Sequence, residues 1–236
     1  MKIDAHCHAY GFSEKELEKF REITLISVSE DYESSLQNIN LSKNYPNIIP
    51  FIGIHPWMIR KYDEESFQKI RKLATRGKVK GIGEVGIDGR YRKLQGKQVE
   101  SFERFCQLSR ELNLPMNIHA LDAWREVLNL LYRHDVGKAL LHWYTGPIEL
   151  LREIRDLGYY ISINPSVKIQ PKHQKILENA SIDMILTESD GPYKYHGLNL
   201  NPGMIGELLE TIARAKDMSV EDVERTVERN LRLFLG

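Results

Sequence analysis

The chain has 236 residues, of which 42% are hydrophobic and 28% charged, and its 33 basic and 33 acidic side chains give a formal net charge of zero. This composition is ordinary for a globular protein; two cysteines exclude a disulfide framework, and zero net charge argues against a dedicated high-affinity nucleic-acid binder. The absence of an apolar run of roughly 18 residues, and of a secretory signal after Met1, predicts a cytoplasmic protein without a membrane partner.

Short apolar or β-branched runs alternate along the chain with longer amphipathic stretches, without a linker or an internal repeat. The predicted strands are 2–6, 24–28, 48–54, 79–85, 116–119, 139–142, 159–163 and 182–187. The predicted helices include 13–22, 64–74, 97–112, 122–133, 148–157, 173–178, 203–216 and 220–235. Ser13 and Glu16 have the spacing of a capping box at the start of the first helix.

Eight strands that alternate with helices predict an α/β protein, a (β/α)8 TIM barrel that forms one domain over residues 1–236. An open doubly wound sheet is the alternative, but that fold usually has a glycine-rich first turn. The first turn here, Cys7-His8-Ala9-Tyr10-Gly11, lacks a phosphate-binding glycine pattern. The barrel is therefore the favoured architecture.

Histidines and acids recur where the predicted strands end. His6 and His8 end the first strand and point to the same face, because alternate residues of a strand do so. The others follow strands three, four, five, six and eight, at positions His55, Glu84, His119, His142 and Asp190. Active sites of TIM barrels lie at the carboxyl ends of the strands, so we expect these side chains to converge there.

Four imidazoles and two carboxylates are enough to hold two divalent ions, with one carboxylate bridging them. Asp4 and Glu188 lie two residues before His6 and Asp190, and suit carboxylates that fix imidazole tautomers. Taken singly, each histidine could be a hydrogen-bonded core residue, Glu84 a salt-bridge partner and Asp190 a turn former. Their shared position at one face favours a metal site.

The remaining histidines and cysteines have simpler interpretations. His134 and His173 lie in or beside helices and are expected to be exposed, and His196 lies in a polar loop where solvent exposure is expected. Cys7 alternates to the face opposite His6 and His8, which predicts a packed core residue.

Seven short motifs carry a resemblance that spans the whole chain. In order they are Asp4-x-His6-x-His8, Gly53-Ile54-His55-Pro56, Gly83-Glu84-Val85-Gly86-Ile87-Asp88, Leu114-Pro115-x-x-Ile118-His119, His142-x-x-Thr145-Gly146, Glu188-Ser189-Asp190-x-Pro192-Tyr193 and Asn230-Leu231-x-x-Leu233-Phe234. This ordered set resembles the TatD family of metal-dependent hydrolases, within the amidohydrolase superfamily. The resemblance implies a distorted TIM barrel and metal-dependent DNase or phosphodiesterase activity. It also implies a ligand set bridged by Glu84: His6, His8, Glu84, His119, His142 and Asp190.

The chain departs from the family pattern at two phosphate-binding positions. Family nucleases carry an arginine shortly after the strand-five histidine and an Arg-x-x-Asn-Glu-Pro stretch after strand eight. Here Leu121 occupies the first position, and segment 194–203 retains Asn-Pro without an arginine. Loss of bidentate phosphate contacts weakens the expectation of a DNA substrate.

Other residues at the predicted mouth could contact substrate. Arg90, Arg92 and Lys93, followed by Lys97, form a cluster of cations after strand four that either binds phosphate or is simply solvated. Aromatic side chains on the loops of this face could stack bases or line an apolar pocket: Trp57, Trp143, Tyr144, Tyr193 and Tyr195. The candidate substrate contacts are therefore His55, Trp57, Arg90, Arg92, Lys93, Trp143 and Tyr193.

These observations favour two-metal hydrolysis of a phosphodiester in DNA, with Glu84 as bridging ligand and Asp190 as both ligand and general base. Mixed ligands suit Zn²⁺, Mn²⁺, Fe²⁺ or Ni²⁺, whereas Mg²⁺, which the resemblance suggests, prefers oxygen donors. One alternative, favoured by the missing arginines, is hydrolysis of a small phosphoester, amide or lactone. Another is a non-catalytic metal-binding barrel, against which the intact Glu84 and Asp190 argue. No oligomeric state is predicted.

Overall fold

Eight parallel strands pair in chain order, β1 to β8, in a computed structural model that describes residues 1–61 and 64–236. The strands are β1 Lys2–Cys7, β2 Ile23–Ser27, β3 Ile48–Ile52, β4 Gly81–Gly86, β5 Met116–His119, β6 Ala139–Leu141, β7 Tyr160–Ile163 and β8 Ile185–Thr187. Helices surround this nearly closed barrel, so the predicted TIM-barrel fold is confirmed. The apolar side chains of the strands and the inner helix faces form the core.

The helices follow the strands in the alternation that the sequence predicts. They are α1 Glu14–Lys19, α2 Tyr32–Asn44, α3 Glu64–Ala74, α4 Gln95–Leu112, α5 Trp124–Arg133, α6 Leu150–Asp156, α7 Pro171–Asn179, α8 Ile205–Lys216 and α9 Val220–Leu235. The predicted capping box is present, since the Glu16 carboxylate accepts from the Ser13 backbone N–H at 2.9 Å. Within the described residues, no helix has the length and apolar character needed to cross a membrane.

Helix α2 is absent from the sequence prediction because a polar side chain anchors it. Asn38 is fully buried and donates to the Val28 carbonyl oxygen at 2.9 Å and to Ser29 Oγ at 2.8 Å. It also accepts from Ser27 Oγ at 2.6 Å. A helix that packs through an asparagine lacks the apolar stripe that sequence periodicity detects.

Hydrogen bonds between β1 and the β8 region close the barrel. Thr187 Oγ1 donates to the Ile3 carbonyl oxygen at 2.6 Å, and the Asp190 backbone N–H donates to the His6 carbonyl oxygen at 2.9 Å. The His8 backbone N–H donates in turn to the Gly191 carbonyl oxygen at 2.8 Å. Closure therefore places the polar ends of the first and last strands side by side.

Two sequence expectations need correction here. The eighth strand begins at Ile185 instead of residue 182, because Ile182–Met184 forms a 3-10 turn. His173 is buried and not exposed, because α7 begins at Pro171 and turns this side chain toward Ser166, whose Oγ lies 3.3 Å from His173 Nδ1. His134 is half-buried, Cys7 is buried and His196 is exposed.

Burial of His173 predicts a pH-dependent loss of stability. Burial lowers the pKa of His173 to about 4, so between pH 6.5 and 4 only the unfolded chain takes up this proton. The free energy of unfolding that depends on neutral His173 is complete above pH 6.5. It falls by up to about 3 kcal/mol as the pH drops to 4. Urea unfolding of metal-stripped wild type and His173→Gln at pH 7, 5.5 and 4.5 measures this loss of stability. Parallel curves of unfolding free energy against pH for the two proteins would contradict the prediction. His196→Gln serves as the control at an exposed histidine.

Candidate metal centre and substrate pocket

The carboxyl ends of β1, β4 and β8 bring two imidazoles and two carboxylates together. The Nε2 of buried His6 lies 3.5 Å from Glu84 Oε2 and 3.4 Å from Asp190 Oδ1. The Nε2 of His8 lies 3.6 Å from each of the same two oxygens. Neighbouring ligands of a tetrahedral ion with bonds of about 2.1 Å have this separation. The ligand atoms of His6, His8 and Asp190 all lie within 4.8 Å of one another, so this group could hold one divalent ion, with Glu84 Oε2 beside both imidazoles.

The other carboxylate oxygen of Glu84 faces three further histidines. Its Oε1 lies 2.9 Å from His142 Nε2, 3.0 Å from His119 Nδ1 and 3.1 Å from His55 Nε2. The facing nitrogens of His119 and His142 are 3.3 Å apart. Glu84 thus presents one oxygen to each of two donor groups, which is the geometry of a bridging carboxylate.

Glycine at position 86 allows β4 and β5 to approach closely beside this cluster. Gly86 has a φ of +144° and pairs in register with His119. A Cβ atom on Gly86 would lie 1.9 Å from the His119 carbonyl oxygen. Any other residue would separate the two strands, and with them Glu84 and His119.

An amide behind His6 determines which of its nitrogens faces the carboxylates. Asn117 donates its Nδ2–H to the Ala5 carbonyl oxygen at 2.8 Å, so its Oδ1 is the atom that faces His6 Nδ1 at 2.7 Å. His6 Nδ1 must therefore be the donor. In the neutral ring, Nε2 then carries the lone pair that a metal ligand needs.

A carboxylate stands behind His119 in the same way, and a second carboxylate lies near His142 beyond hydrogen-bond distance. Asp88 Oδ2 lies 3.2 Å from His119 Nε2, and Glu188 Oε1 lies 3.7 Å from His142 Nδ1. The Ser162 hydroxyl donates to the other oxygen of Glu188. The hydrogen bond to Asp88 places the proton of the neutral His119 ring on Nε2 and leaves Nδ1 unprotonated. His119 Nδ1 and His142 Nε2 both face Glu84.

His55 differs from the other histidines around Glu84. The backbone N–H of Trp57 donates to His55 Nδ1 at 3.0 Å, so the proton of the neutral ring lies on Nε2 and is donated to Glu84 Oε1. Burial lowers the pKa of His55, which keeps the ring neutral. His55 therefore orients the Glu84 carboxylate as a hydrogen-bond donor.

Without a cation, the attraction between the Glu84 carboxylate and protonated imidazoles offsets the cost of burying these groups. Burial alone would raise the pKa of Glu84. The imidazoles of His55, His142 and His6 lower it by more, so this pKa lies well below its ordinary value. Burial and His6 lower the pKa of His142, yet Glu84 and Glu188 raise it to about 9. Buried His6 Nε2 also lacks a hydrogen-bond partner. A donor set with these properties fits divalent ions that displace the protons.

Comparison with known proteins identifies the family. The model of the family described as TatD related DNase matches residues 3–236. The chain belongs to the TatD family. It is 29% identical over 243 residues to the uncharacterized metal-dependent hydrolase MJ1582 of Methanocaldococcus jannaschii, covering 98% of this chain and 96% of that protein. It is 30% identical over 259 residues to the human deoxyribonuclease TATDN3, covering 98% and 94%.

Solved structures share the barrel fold. The TatD homologue YjjV of Escherichia coli superimposes with a TM-score of 0.84 at 20% identity, over 99% of this chain and 97% of that one. The phosphotriesterase homology protein of Escherichia coli, solved with phosphate in its active site, gives a TM-score of 0.74 at 16% identity, over 100% and 98%. This TatD-family chain is a metal-dependent hydrolase.

Asp4 binds Ser189 and the backbone of His6, and no described hydrogen bond joins it to an imidazole ring. Its Oδ1 accepts from the backbone N–H groups of Ser189 at 2.8 Å and His6 at 3.3 Å, and burial raises its pKa to about 7. Two residues along a strand is about 6–7 Å, so Asp4 is deeper in the barrel than the His6 ring. Asn117 of β5 occupies the position behind His6 instead.

A cavity of about 470 Å³ opens over the cluster of side chains around Glu84 in the TatD-family barrel, within the size range of small-ligand pockets. Aromatic side chains form much of its wall: Tyr10, Trp57, Trp124, Trp143, Tyr193 and Tyr195. The ring of Trp143 meets those of Tyr195 and Tyr193 edge-on, at centroid distances of 5.0 and 6.2 Å. The pocket can therefore hold a flat or apolar group beside the side chains around Glu84.

The predicted substrate contacts divide into two groups. Five of the seven line the cavity: His55, Trp57, Arg90, Trp143 and Tyr193. Arg92 lines a separate polar cleft with Asp122 and Glu126. Lys93 is exposed and lies outside the described lining of either cavity. Of the cations after strand four, Arg90 is therefore the one in the described lining of this cavity.

Tyr144, expected at the mouth, is fully buried instead. Its hydroxyl donates to the Pro147 carbonyl oxygen at 2.6 Å, and its ring packs on Trp124 at 4.6 Å. The neighbouring Trp143 adopts a φ of +41°, a strained conformation for a bulky residue. This backbone turn points Trp143 to the cavity and Tyr144 to the core.

Three contributors to this site receive no role in the sequence analysis. Asn117 and Asp88 support His6 and His119, and Gln170 accepts the Trp143 indole N–H at 3.2 Å. Strand alternation could have found Asn117, since it lies two residues before His119 on β5. Asp88 and Gln170 lie on irregular segments, where spacing carries no such signal.

Proposed function

We propose that this metal-dependent hydrolase is a phosphodiesterase that acts on DNA through two divalent ions. The observation that carries the proposal is Glu84, whose two oxygens face two separate groups of donor atoms. The name of human TATDN3, a deoxyribonuclease, and the phosphate in the active site of the phosphotriesterase homology protein support phosphoester chemistry.

Each oxygen of Glu84 would belong to a different ion. His6, His8 and Asp190 would hold one ion with Glu84 Oε2, and His119 and His142 would hold the other with Oε1. Two divalent ions, when bound, lower the pKa of water and stabilise the negative charge that develops on phosphate oxygens. This proposal uses the whole predicted ligand set, and His55 supports it as a hydrogen-bond donor to Glu84.

Asp190 is suited to accept the proton of the attacking water. Its side chain is about one-eighth open to the pocket, at 12% exposure, while its Oδ1 faces His6 and His8. Burial raises the pKa of Asp190, but the facing imidazoles of His6 and His8 lower it more, so the carboxylate stays ionised. An ionised carboxylate at the pocket surface is in the form that accepts a proton.

The aromatic wall supplies the substrate contacts of this proposal. Trp143 and Tyr193 offer ring faces and edges on which a base can stack, and such stacking tolerates different sequences. Arg90 is the cation of the wall, and its guanidinium is half exposed. A single-stranded end, in which a base is free to leave its stack, fits a cavity of about 470 Å³ better than a duplex does.

A second candidate function rests on the shortage of cations in the pocket. Arg90 is the one Lys or Arg in the described lining, and its guanidinium is already paired with Asp88 at 2.6 Å. Leu121 lines the cavity at the position where family nucleases carry an arginine. A small phosphoester, amide or lactone would need fewer phosphate contacts than a polynucleotide.

The direct test is hydrolysis by metal-stripped protein reloaded with Mg²⁺, Mn²⁺ or Zn²⁺. We expect metal-dependent shortening of end-labelled single-stranded DNA. Glu111→Gln, which removes an exposed ion pair with Arg71 outside the pocket lining, is the control and should match wild type. Intact DNA together with turnover of a small phosphodiester, amide or lactone would favour the second candidate. Metal binding without any turnover would leave the non-catalytic barrel.

A further inference from the structure

Asp88 joins the metal-facing side chains to the wall of the substrate pocket. Its fully buried carboxylate accepts from three side chains on separate segments of the barrel. Oδ2 faces His119 Nε2 of β5 at 3.2 Å and the Trp57 indole N–H at 2.8 Å, and Trp57 lies in the 3-10 turn Pro56–Lys61 after β3. Arg90 donates from Nη2 to Oδ2 at 2.6 Å and from Nε to Oδ1 at 3.0 Å.

We infer that Asp88 is a positioning residue that couples metal loading to the order of the pocket wall formed by Trp57 and Arg90. Toward the metal, its hydrogen bond with His119 Nε2 keeps His119 Nδ1 directed at Glu84. Toward the pocket, it holds the Arg90 guanidinium 5.8 Å from the Trp57 ring. The inference rests on the metal centre of the proposed function and not on DNA as the substrate.

Trp57 strengthens this coupling because its two N–H groups support two different imidazoles that contact Glu84, those of His55 and His119. Its backbone N–H sets the tautomer of His55, which donates to Glu84 Oε1. Its indole N–H binds Asp88, which sets the tautomer of His119 on the same oxygen. A displacement of Trp57 therefore disturbs two of the three imidazoles around Glu84 Oε1.

The pairing also defines what Arg90 can offer a substrate. Asp88 neutralises the guanidinium and uses its Nε–H and one N–H of Nη2, so the two N–H groups of Nη1 and the second N–H of Nη2 remain for an anionic group. Arg90 thus acts as a directional donor beside the exposed Trp57 ring. This wall suits a substrate in which a flat ring and an anionic group lie close together.

The test follows Zn²⁺ binding and the Trp57 indole resonance, without any substrate. Metal-stripped protein is titrated with Zn²⁺ against a chelator, and the ¹H–¹⁵N signal of the indole is assigned by its loss in Trp57→Phe. In wild type, Zn²⁺ should shift this signal. In Asp88→Asn, affinity should fall about 10–100-fold and the signal should cease to respond. Glu111→Gln should behave as wild type in both measurements.

Several results would overturn the inference. One is a Trp57 indole signal in wild-type protein that does not shift when Zn²⁺ is added. This outcome is measured without any variant. The others are an Asp88→Asn affinity within about twofold of wild type, or a Trp57 signal that still follows Zn²⁺ in that variant. A purely structural role would lower the Tm of the metal-free variant and leave both readouts unchanged. Failure of DNA hydrolysis alone would count against the substrate and not against this coupling.

Discussion

Glu84→Gln is expected to lower kcat about 10³-fold or more, equivalent to about 4 kcal/mol of transition-state stabilisation, and to weaken metal binding at both donor groups. Both Glu84 oxygens face imidazole nitrogens that lie 2.9–3.6 Å away. An amide removes the negative charge and presents an NH₂ group to one side. That group has no lone pair for a cation.

Metal content and thermal unfolding measure this loss. At free metal about 1,000 times Kd, each ion stabilises the folded wild type by about 4 kcal/mol, and each kcal/mol raises Tm by about 2–4 °C at this chain length. Glu84→Gln should lose most of this metal-dependent rise, while Glu111→Gln keeps it. Full metal content and an unchanged rise in Tm would show that Glu84 bridges no ions.

Asp190→Asn is expected to lower kcat by about 10²–10⁴-fold with a smaller effect on metal content. Its amide oxygen can still take the place of Oδ1 opposite His6 and His8, but the group cannot accept and hold a proton. Loss of the base should therefore appear in kcat, while KM stays near the wild-type value.

Single-turnover kinetics at saturating metal separate this effect from metal loss. The substrate is the one that wild-type protein hydrolyses in the panel of metals and substrates. Asp183→Asn serves as the matched carboxyl-to-amide control, since Asp183 pairs with Arg155 at the protein surface. Activity of metal-loaded Asp190→Asn within tenfold of wild type would exclude Asp190 as the base.

The sequence by itself determines the barrel and the composition of the candidate metal centre. Alternating strand and helix patterns are local, and parallel strands closed into a barrel bring their carboxyl ends to one face. His6, His119 and Asp190 therefore needed no knowledge of distant contacts to be grouped. Helix α2 escaped prediction because Asn38, a polar residue, packs inward in place of an apolar one.

Tertiary structure alone decided how each member of the group is used. His55 resembles the other strand-end histidines in sequence, but the Trp57 backbone N–H makes it a donor to Glu84. Asp4 shares the face of His6 yet lies one residue pair deeper and binds backbone groups. Asp88 reaches His119 only because two loops fold over the same strand end. Tautomers, depth and such partners depend on residues far apart in the chain, so local sequence patterns carry no information about them.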